Sequence, residues 1–296
     1  MTTLRALECL VALVDHGSVT RAAASLRISQ PALSHQIAAL ERELGTAVAE
    51  RTGRGVQVTA AGLAVAEEAR VSLAAAHRAV RIGLQIAAGA KGTLRIACAE
   101  TMTAWVLVPV LRRWRSSHSG VAIELSEHAN SDQMVELLSS GRVDLAIGPR
   151  PSGTHEYLDV LGEEEVVVVA SPGHAFSKEL AVRFEDLSGE PFVHFTVGNG
   201  LAEWIDGLAA QHEVVLDPVV RTRSPRTAAQ LAAAGMGVTV VPVSALPYRP
   251  PGVVRRLDPL VRRGVVVMRA STSNSLATTF ADDLVRRGIS GAEAVP

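Results

Sequence analysis

Gln30, Ser34, His35 and Gln36 are hydrogen-bonding side chains crowded behind Ser29. Their lengths suit the edges of base pairs in a major groove, where amides and imidazoles match donor and acceptor patterns. On spacing alone, a merely solvated helix face explains them equally well. Downstream, Glu50-Arg51-Thr52-Gly53-Arg54-Gly55-Val56-Gln57-Val58 reads as two short strands around a Gly-Arg-Gly tip. Glycine on each side lets the backbone turn tightly and pass close to a phosphate, and Arg54 can then enter a minor groove.

A second group of chemistry-bearing residues sits where strands end. Glu100-Thr101-Met102-Thr103 puts two hydroxyls at the start of a helix that follows a strand. With the helix N–H groups they could surround a carboxylate or similar small anion, although capping alone explains one of the two threonines. Asn130 follows a second strand, and Gly148-Pro149-Arg150 follows a third. The Arg150 guanidinium could pair with an anion at two points, or be an ordinary exposed arginine. His194-Phe195-Thr196, with Gly198-Asn199, closes another strand and offers an apolar wall and donors. Ligands of open α/β sheets bind beyond the carboxyl ends of strands, which is what these positions share.

Catalytic chemistry finds little support. There is no Gly-x-Ser-x-Gly elbow, phosphate-cradling glycine loop or His-Glu-x-x-His pair, and the nine histidines are scattered. No catalytic residue, metal site or cofactor is expected. Cys9 and Cys98 lie 89 positions apart, which argues against a disulfide framework or a thiolate metal cluster. Cys98 could face a cleft and sense oxidants, but a reversible switch usually needs a nearby resolving cysteine, so a buried structural thiol is the better reading.

The elements that must position these groups follow from periodicity and punctuation. Leu4, Leu7, Val11 and Val14 mark one face of a helix that ends at His16-Gly17. Ser18 is placed to cap a short helix over 19–26 whose alanines allow close approach, and Ser29 to cap a third with Pro31 in its first turn and a stripe of Leu33, Ile37, Leu40 and Leu44 before Gly45. That is the grammar of a helix-turn-helix. Residues 59–88, without proline, predict one helix of roughly 45 Å. In it Leu63, Ala66, Leu73, Val80 and Leu84 keep near-heptad spacing, broken by Arg70 and His77, which suits a dimer seam; packing on its own body is the alternative. Gly89-Ala90-Lys91-Gly92 reads as a hinge. Beyond it strands are expected at 94–98, 121–125, 143–148, 165–170, 191–195, 219–222, 238–242 and 264–269, alternating with helices, which makes an α/β fold.

Composition sets the outer limits. The 296 residues suggest about two domains, and 48% apolar with 20% charged residues is globular rather than disordered. No apolar run approaches the roughly 18 residues that span a bilayer, so no membrane partner and a cytoplasmic location are expected. The formal net charge is −1, but residues 1–91 carry ten Lys/Arg against seven Asp/Glu. A basic head on an acidic body is compatible with nucleic-acid binding.

Arg21-Ala22-Ala23, Leu26, Ser29-Gln30-Pro31-Ala32-Leu33-Ser34, Gln36-Ile37, Leu40-Glu41, Leu44-Gly45, Glu50-Arg51 and Thr59-Ala60-Ala61-Gly62 strongly resemble the winged helix-turn-helix of LysR-type transcriptional regulators. Gly141-Arg142-Val143-Asp144-Leu145-Ala146-Ile147 and Ala234-Gly235-Met236-Gly237-Val238 resemble, less closely, the family's periplasmic-binding-protein-like effector domain. The chain departs from the family at Cys9, Val19 and Ala49, often aromatic there, and at His35 and Ala38, often basic.

The resemblance implies a winged helix-turn-helix over 1–58, a linker helix and hinge over 59–91 that pairs subunits, and an effector domain over 92–296. Lobe I would take about 92–162 and 265–296, and lobe II about 163–264. It implies a regulator that binds double-stranded operator DNA as a homodimer or homotetramer and responds to a small anionic effector. Gln30, Pro31, Ser34 and His35 would face the major groove, Ser29, Arg51 and Thr59 would hold phosphates, and Arg54 would serve the wing. Thr101, Asn130 and Thr196 match positions that often line the effector pocket, and Thr103, Arg150 and Phe195 join them as candidates. A ligand-binding receptor module and an enzyme on the same two-lobed scaffold are the competing readings.

Overall fold

A computed structural model describes residues 2–52, 55–87, 92–153, 155, 157–270 and 275–289. The chain divides into two compact units, residues 1–89 with 139–142, and residues 90–138 with 143–296.

In the first unit, Thr3 caps α1 (Leu4–His16) by accepting from the Ala6 N–H, and Gly17 at φ 59° closes it. Helix α2 (Val19–Ser25) follows, and Ala22 and Ala23 are its buried residues, small enough for close packing. Ser18 does occupy the cap position of α2, but its hydroxyl makes no capping bond; its carbonyl alone accepts, from the Ala22 N–H. Helix α3 (Gln30–Leu44) starts at Ser29, whose hydroxyl accepts from the Ala32 N–H, and ends at Gly45 in the left-handed region. Leu33, Ile37 and Leu40 of α3 pack with Leu10 and Leu13 of α1 into the head's core. Strands β1 (Ala49–Thr52) and β2 (Gly55–Val58) pair antiparallel, from Ala49 with Val58 to Thr52 with Gly55.

The long helix α4 (Ala60–Ala87) has 28 residues, about 42 Å. Its entry is tight: a Cβ on Gly62 would lie 2.1 Å from the Val48 carbonyl oxygen, so only glycine fits. The expected seam is split. Ala66 belongs to the head's core and Leu73 is buried, while Leu63 is 50% and Val80 65% exposed. The side chain of Leu84 lies outside the described residues, as do residue 88 and residues 89–91 of the expected hinge.

The second unit has two lobes. In lobe I, β3 (Thr93–Ala99) lies parallel to β4 (Ala122–His128) and β5 (Leu145–Pro149), and β12 (Arg262–Arg269) and β6 (Leu158–Ala170) extend the sheet antiparallel. Alternate side chains go to opposite faces. Ile96, Leu145 and Val267 pack with Trp114 of α6 (Val108–Ser117) and Phe280 of α10 (Ser275–Arg287). Ala97, Ala146 and Val266 pack with Met134 and Leu138 of α7 (Ser131–Ser139).

Strand β6 joins the lobes. Residues 158–165 pair with β12, and residues 166–170 pair with β10 (Thr239–Pro242) and β11 (Val253–Asp258) of lobe II. The expected strand began only at Glu165. Glu163-Glu164-Glu165 resembles a solvated charge run, but Gly264, Arg263 and Arg262 stand opposite those three residues in β12. Lobe II adds the short β7 (Ala181–Arg183) beside β11, and the parallel pair β8 (Pro191–Phe195) and β9 (Asp217–Thr222). Helices α8 (Gly200–Gln211) and α9 (Pro225–Ala233) complete its core. Neither β7 nor β11 was foreseen.

Candidate functional site

The inward stripe of α3 leaves its other face outward. Gln30, Pro31 and His35 are exposed and Ser34 is half-buried, so the four stand together at the N-terminal end of α3. Ser29 uses its hydroxyl oxygen as the cap. The Thr59 hydroxyl donates to the Ala47 carbonyl at 2.8 Å and accepts from the Gly62 N–H at 3.0 Å, so it fixes the start of α4. Arg54 and the side chain of Arg51 lie outside the described residues. One residue the sequence did not single out for a role is Glu41 of α3, which accepts from the N–H groups of Val48 and Ala49 at 2.9 and 3.3 Å and so ties β1 to α3.

Between the lobes of the second unit lies a cavity of about 530 Å³. Thr101, Asn130 and Arg150 line it. Thr101 belongs to the short α5 (Glu100–Met102), where β3 ends. Asn130 caps α7 by accepting from the Asp132 N–H at 2.8 Å, and its amide donates to the Gly198 carbonyl at 3.3 Å. Arg150 is exposed, with its N–H on the Gly264 carbonyl at 3.2 Å.

Three other expected residues are not in the lining. Phe195 is fully buried in the lobe II core, because both faces of β8 are covered. Thr196 is half-buried, and its N–H donates to the Thr222 carbonyl at 3.0 Å in the turn after β8. Thr103 begins a π-helical turn (Thr103–Leu107), and its oxygen is buried beside the Cys98 thiol without a well-formed hydrogen bond. Residues two apart point to different sides of a helix, so Thr101 and Thr103 cannot both face the cleft.

The lining also takes in residues with no earlier signal, chiefly Arg223, Arg262, Arg263, Trp204 and Asp132. They come from segments distant in sequence, so no local motif joins them. Hydrogen bonds cross the cleft as well. The Gly200 N–H donates to the Ala129 carbonyl at 3.1 Å, and the Ser224 hydroxyl donates to the Glu100 carboxylate at 2.8 Å.

Cys98 is fully buried and its thiol is pushed up to about 12, with desolvation the largest cause. Burial also raises Cys9, in the head's core. Among the described residues, no group of three or more His, Cys, Asp or Glu could hold a metal ion, and no helix is long and apolar enough to cross a membrane.

Residues 4–63 match the bacterial regulatory helix-turn-helix protein family, lysR family, and residues 87–288 match the LysR substrate binding domain. The hydrogen peroxide-inducible genes activator of Dickeya chrysanthemi is 32% identical over 245 residues, 82% of this chain and 80% of that protein. The transcriptional activator protein LysR of Escherichia coli K12 is 29% identical over 95% of this chain and 92% of its own. A full-length cysteine mutant of OxyR from Pseudomonas aeruginosa shares the fold, with a TM-score of 0.60 at 23% identity, over 97% of this chain and 99% of that one. With an exposed polar face on α3, a two-lobed domain around a cavity, and both family matches spanning nearly its whole length, the chain belongs to the LysR family of DNA-binding transcriptional regulators with an effector-binding domain.

Proposed function

We propose that α3 reads an operator through Gln30, Pro31, Ser34 and His35, with Ser29, Arg51 and Arg54 on the phosphates and the minor groove, and that a small anion in the interlobe cavity modulates this binding. The observation that carries the DNA half is the outward polar face on α3, backed by the buried Leu33, Ile37 and Leu40. A head with so few cations binds weakly alone, since affinity for DNA grows with the number of phosphates neutralised. Paired subunits on successive half-sites supply the rest by raising the effective concentration of the second head. Acting on chromosomal DNA, the protein works in the cytoplasm. The cavity is suited to binding, because Thr101, Asn130 and Arg150 offer hydrogen bonds and charge to a small anion.

The response differs from thiol oxidation, although a relative is named for hydrogen peroxide. Neither cysteine lines the cavity, and a thiol held near 12 is almost entirely protonated, hence unreactive, at neutral pH. The test is a fluorescence-anisotropy titration of the purified protein against DNA flanking its own gene, with and without a panel of carboxylic acids. Specific retention of one fragment, altered by at least one acid, is the expected result. Uniform binding to every fragment in every condition rules the reading out.

A further inference from the structure

Four arginines line the cavity, and Arg150, Arg223 and Arg262 are exposed side chains. Arg263 is different. Its side chain is 8% exposed, it stands directly opposite Glu164 in the register of β12 with β6, and its Nε donates to Glu164 Oε1 at 2.6 Å. The Glu164 side chain is wholly buried, and its other oxygen accepts from the Ser244 hydroxyl at 2.6 Å. The two carboxylate oxygens are thus divided between β12 and a 3-10 turn (Val243–Ala245) of lobe II. Only the Nε of the guanidinium is engaged; its terminal NH groups make no hydrogen bond among the described residues.

We propose that Arg263 is the anchor for the anionic group of the cavity's ligand, and that Glu164 is the positioning residue that aims it. This rests on reading the cavity as the effector site. A guanidinium presents two edges, and an oxyanion such as a carboxylate takes one of them in two-point geometry. Pinned at Nε by a buried carboxylate, the side chain has little rotamer freedom left to lose when an anion arrives. Glu164 also sets the charge. Its negative charge offsets that of Arg263, and the half-buried Trp204 of the cavity lining offers an apolar surface to the rest of the molecule. A third consequence concerns the lobes: a ligand on Arg263 acts on Glu164, and Glu164 is bonded to both β12 and lobe II.

Bromide is the probe. Crystals of the full chain are soaked in sodium bromide, and anomalous scattering locates the ion. A peak within hydrogen-bond reach of the Arg263 terminal nitrogens is expected, absent in Arg263→Lys, which keeps a cation beside Glu164 but has no second edge. In Glu164→Gln the guanidinium loses its countercharge, so bromide should bind on the order of tenfold tighter and its occupancy should rise. A merely structural Glu164 would leave occupancy unchanged or lower it, and that result overturns the positioning role. Peaks at Arg150 or Arg262 with none at Arg263 overturn the anchor while the effector reading stands. Should Glu164→Gln fail to fold, the Arg263→Lys comparison still decides the anchor. A cavity with no bromide at any of its arginines sinks both.

Discussion

The backbone N–H of Gly200 donates to the carbonyl of Ala129, 3.1 Å away in the opposite lobe. Gly200 is the first residue of α8, so its N–H is one of the donors that a helix leaves free. Here it is spent on the other lobe. Asn130 to Gly198 and Ser224 to Glu100 add two more bonds across the same cleft. Among the described residues these three polar contacts latch the lobes, each through at least one residue that lines the cavity.

Gly200→Pro tests the latch. Proline is favoured at the first helical position, and Asn199 at φ −86° and ψ 121° already has the extended backbone that precedes proline. The helix is therefore kept, but the ring carbon replaces the hydrogen aimed at Ala129 and wedges the lobes apart. The lost bond costs about 0.5–1.5 kcal/mol, offset by about 0.4–1 kcal/mol from the stiffer unfolded chain. Melting temperature should barely move, while amide hydrogen exchange at residues 129–133 quickens. Unchanged exchange there would show that the latch contributes nothing to closure.

The same locality that made α3 readable hid the cleft. Ser29, Pro31 and Gly45 mark the ends of α3 with residues whose own chemistry caps, starts or stops a helix, and the structure places both termini where they indicate. Strand ends carry weaker information. Phe195 was credited with a cleft wall because it closes β8, but a strand buried on both faces has no alternation to say which side faces the ligand. The π-helical turn at Thr103 adds a change of phase that residue types do not announce. Arg263 and Glu164 are 99 positions apart, and their pairing follows from β-register alone.

On DNA, Gln30→Ala and Arg54→Ala should separate. Gln30 is exposed at the start of α3, where an amide can make paired hydrogen bonds to an adenine edge; its loss should cost about 1–3 kcal/mol on the preferred site and relax selectivity. Arg54→Ala should weaken binding to all sequences and lower the slope of log K against log salt by about one. Anisotropy titrations over a range of salt concentrations measure both. Equal losses on every sequence from both variants would refute the assignment of Gln30.

Val80 tests pairing. It falls seven residues after Leu73 and fourteen after Ala66, on the α4 face that is buried nearer the head, yet it is 65% exposed. Val80→Lys raises helix propensity, so α4 itself should persist, while a charge enters the proposed seam. Sedimentation velocity should show a shift toward a lighter species. An unaltered mass at micromolar concentration would place the subunit contact elsewhere.

Cys98 gives the alkaline prediction. Its folded thiol titrates near 12 against an ordinary value of 9.0, so between those limits the unfolded chain has released a proton that the native state retains. Stability contributed by this group is complete below about pH 9 and falls as the pH rises toward 12, by up to about 1.4 kcal/mol per unit. Other groups titrate in that range, so the comparison is with Cys98→Ala. The variant starts less stable because the fully buried sulfur is gone, but its stability should fall less steeply above pH 9 in urea titrations. Parallel curves would mean that the thiol ionises as freely in the folded protein as in the unfolded one.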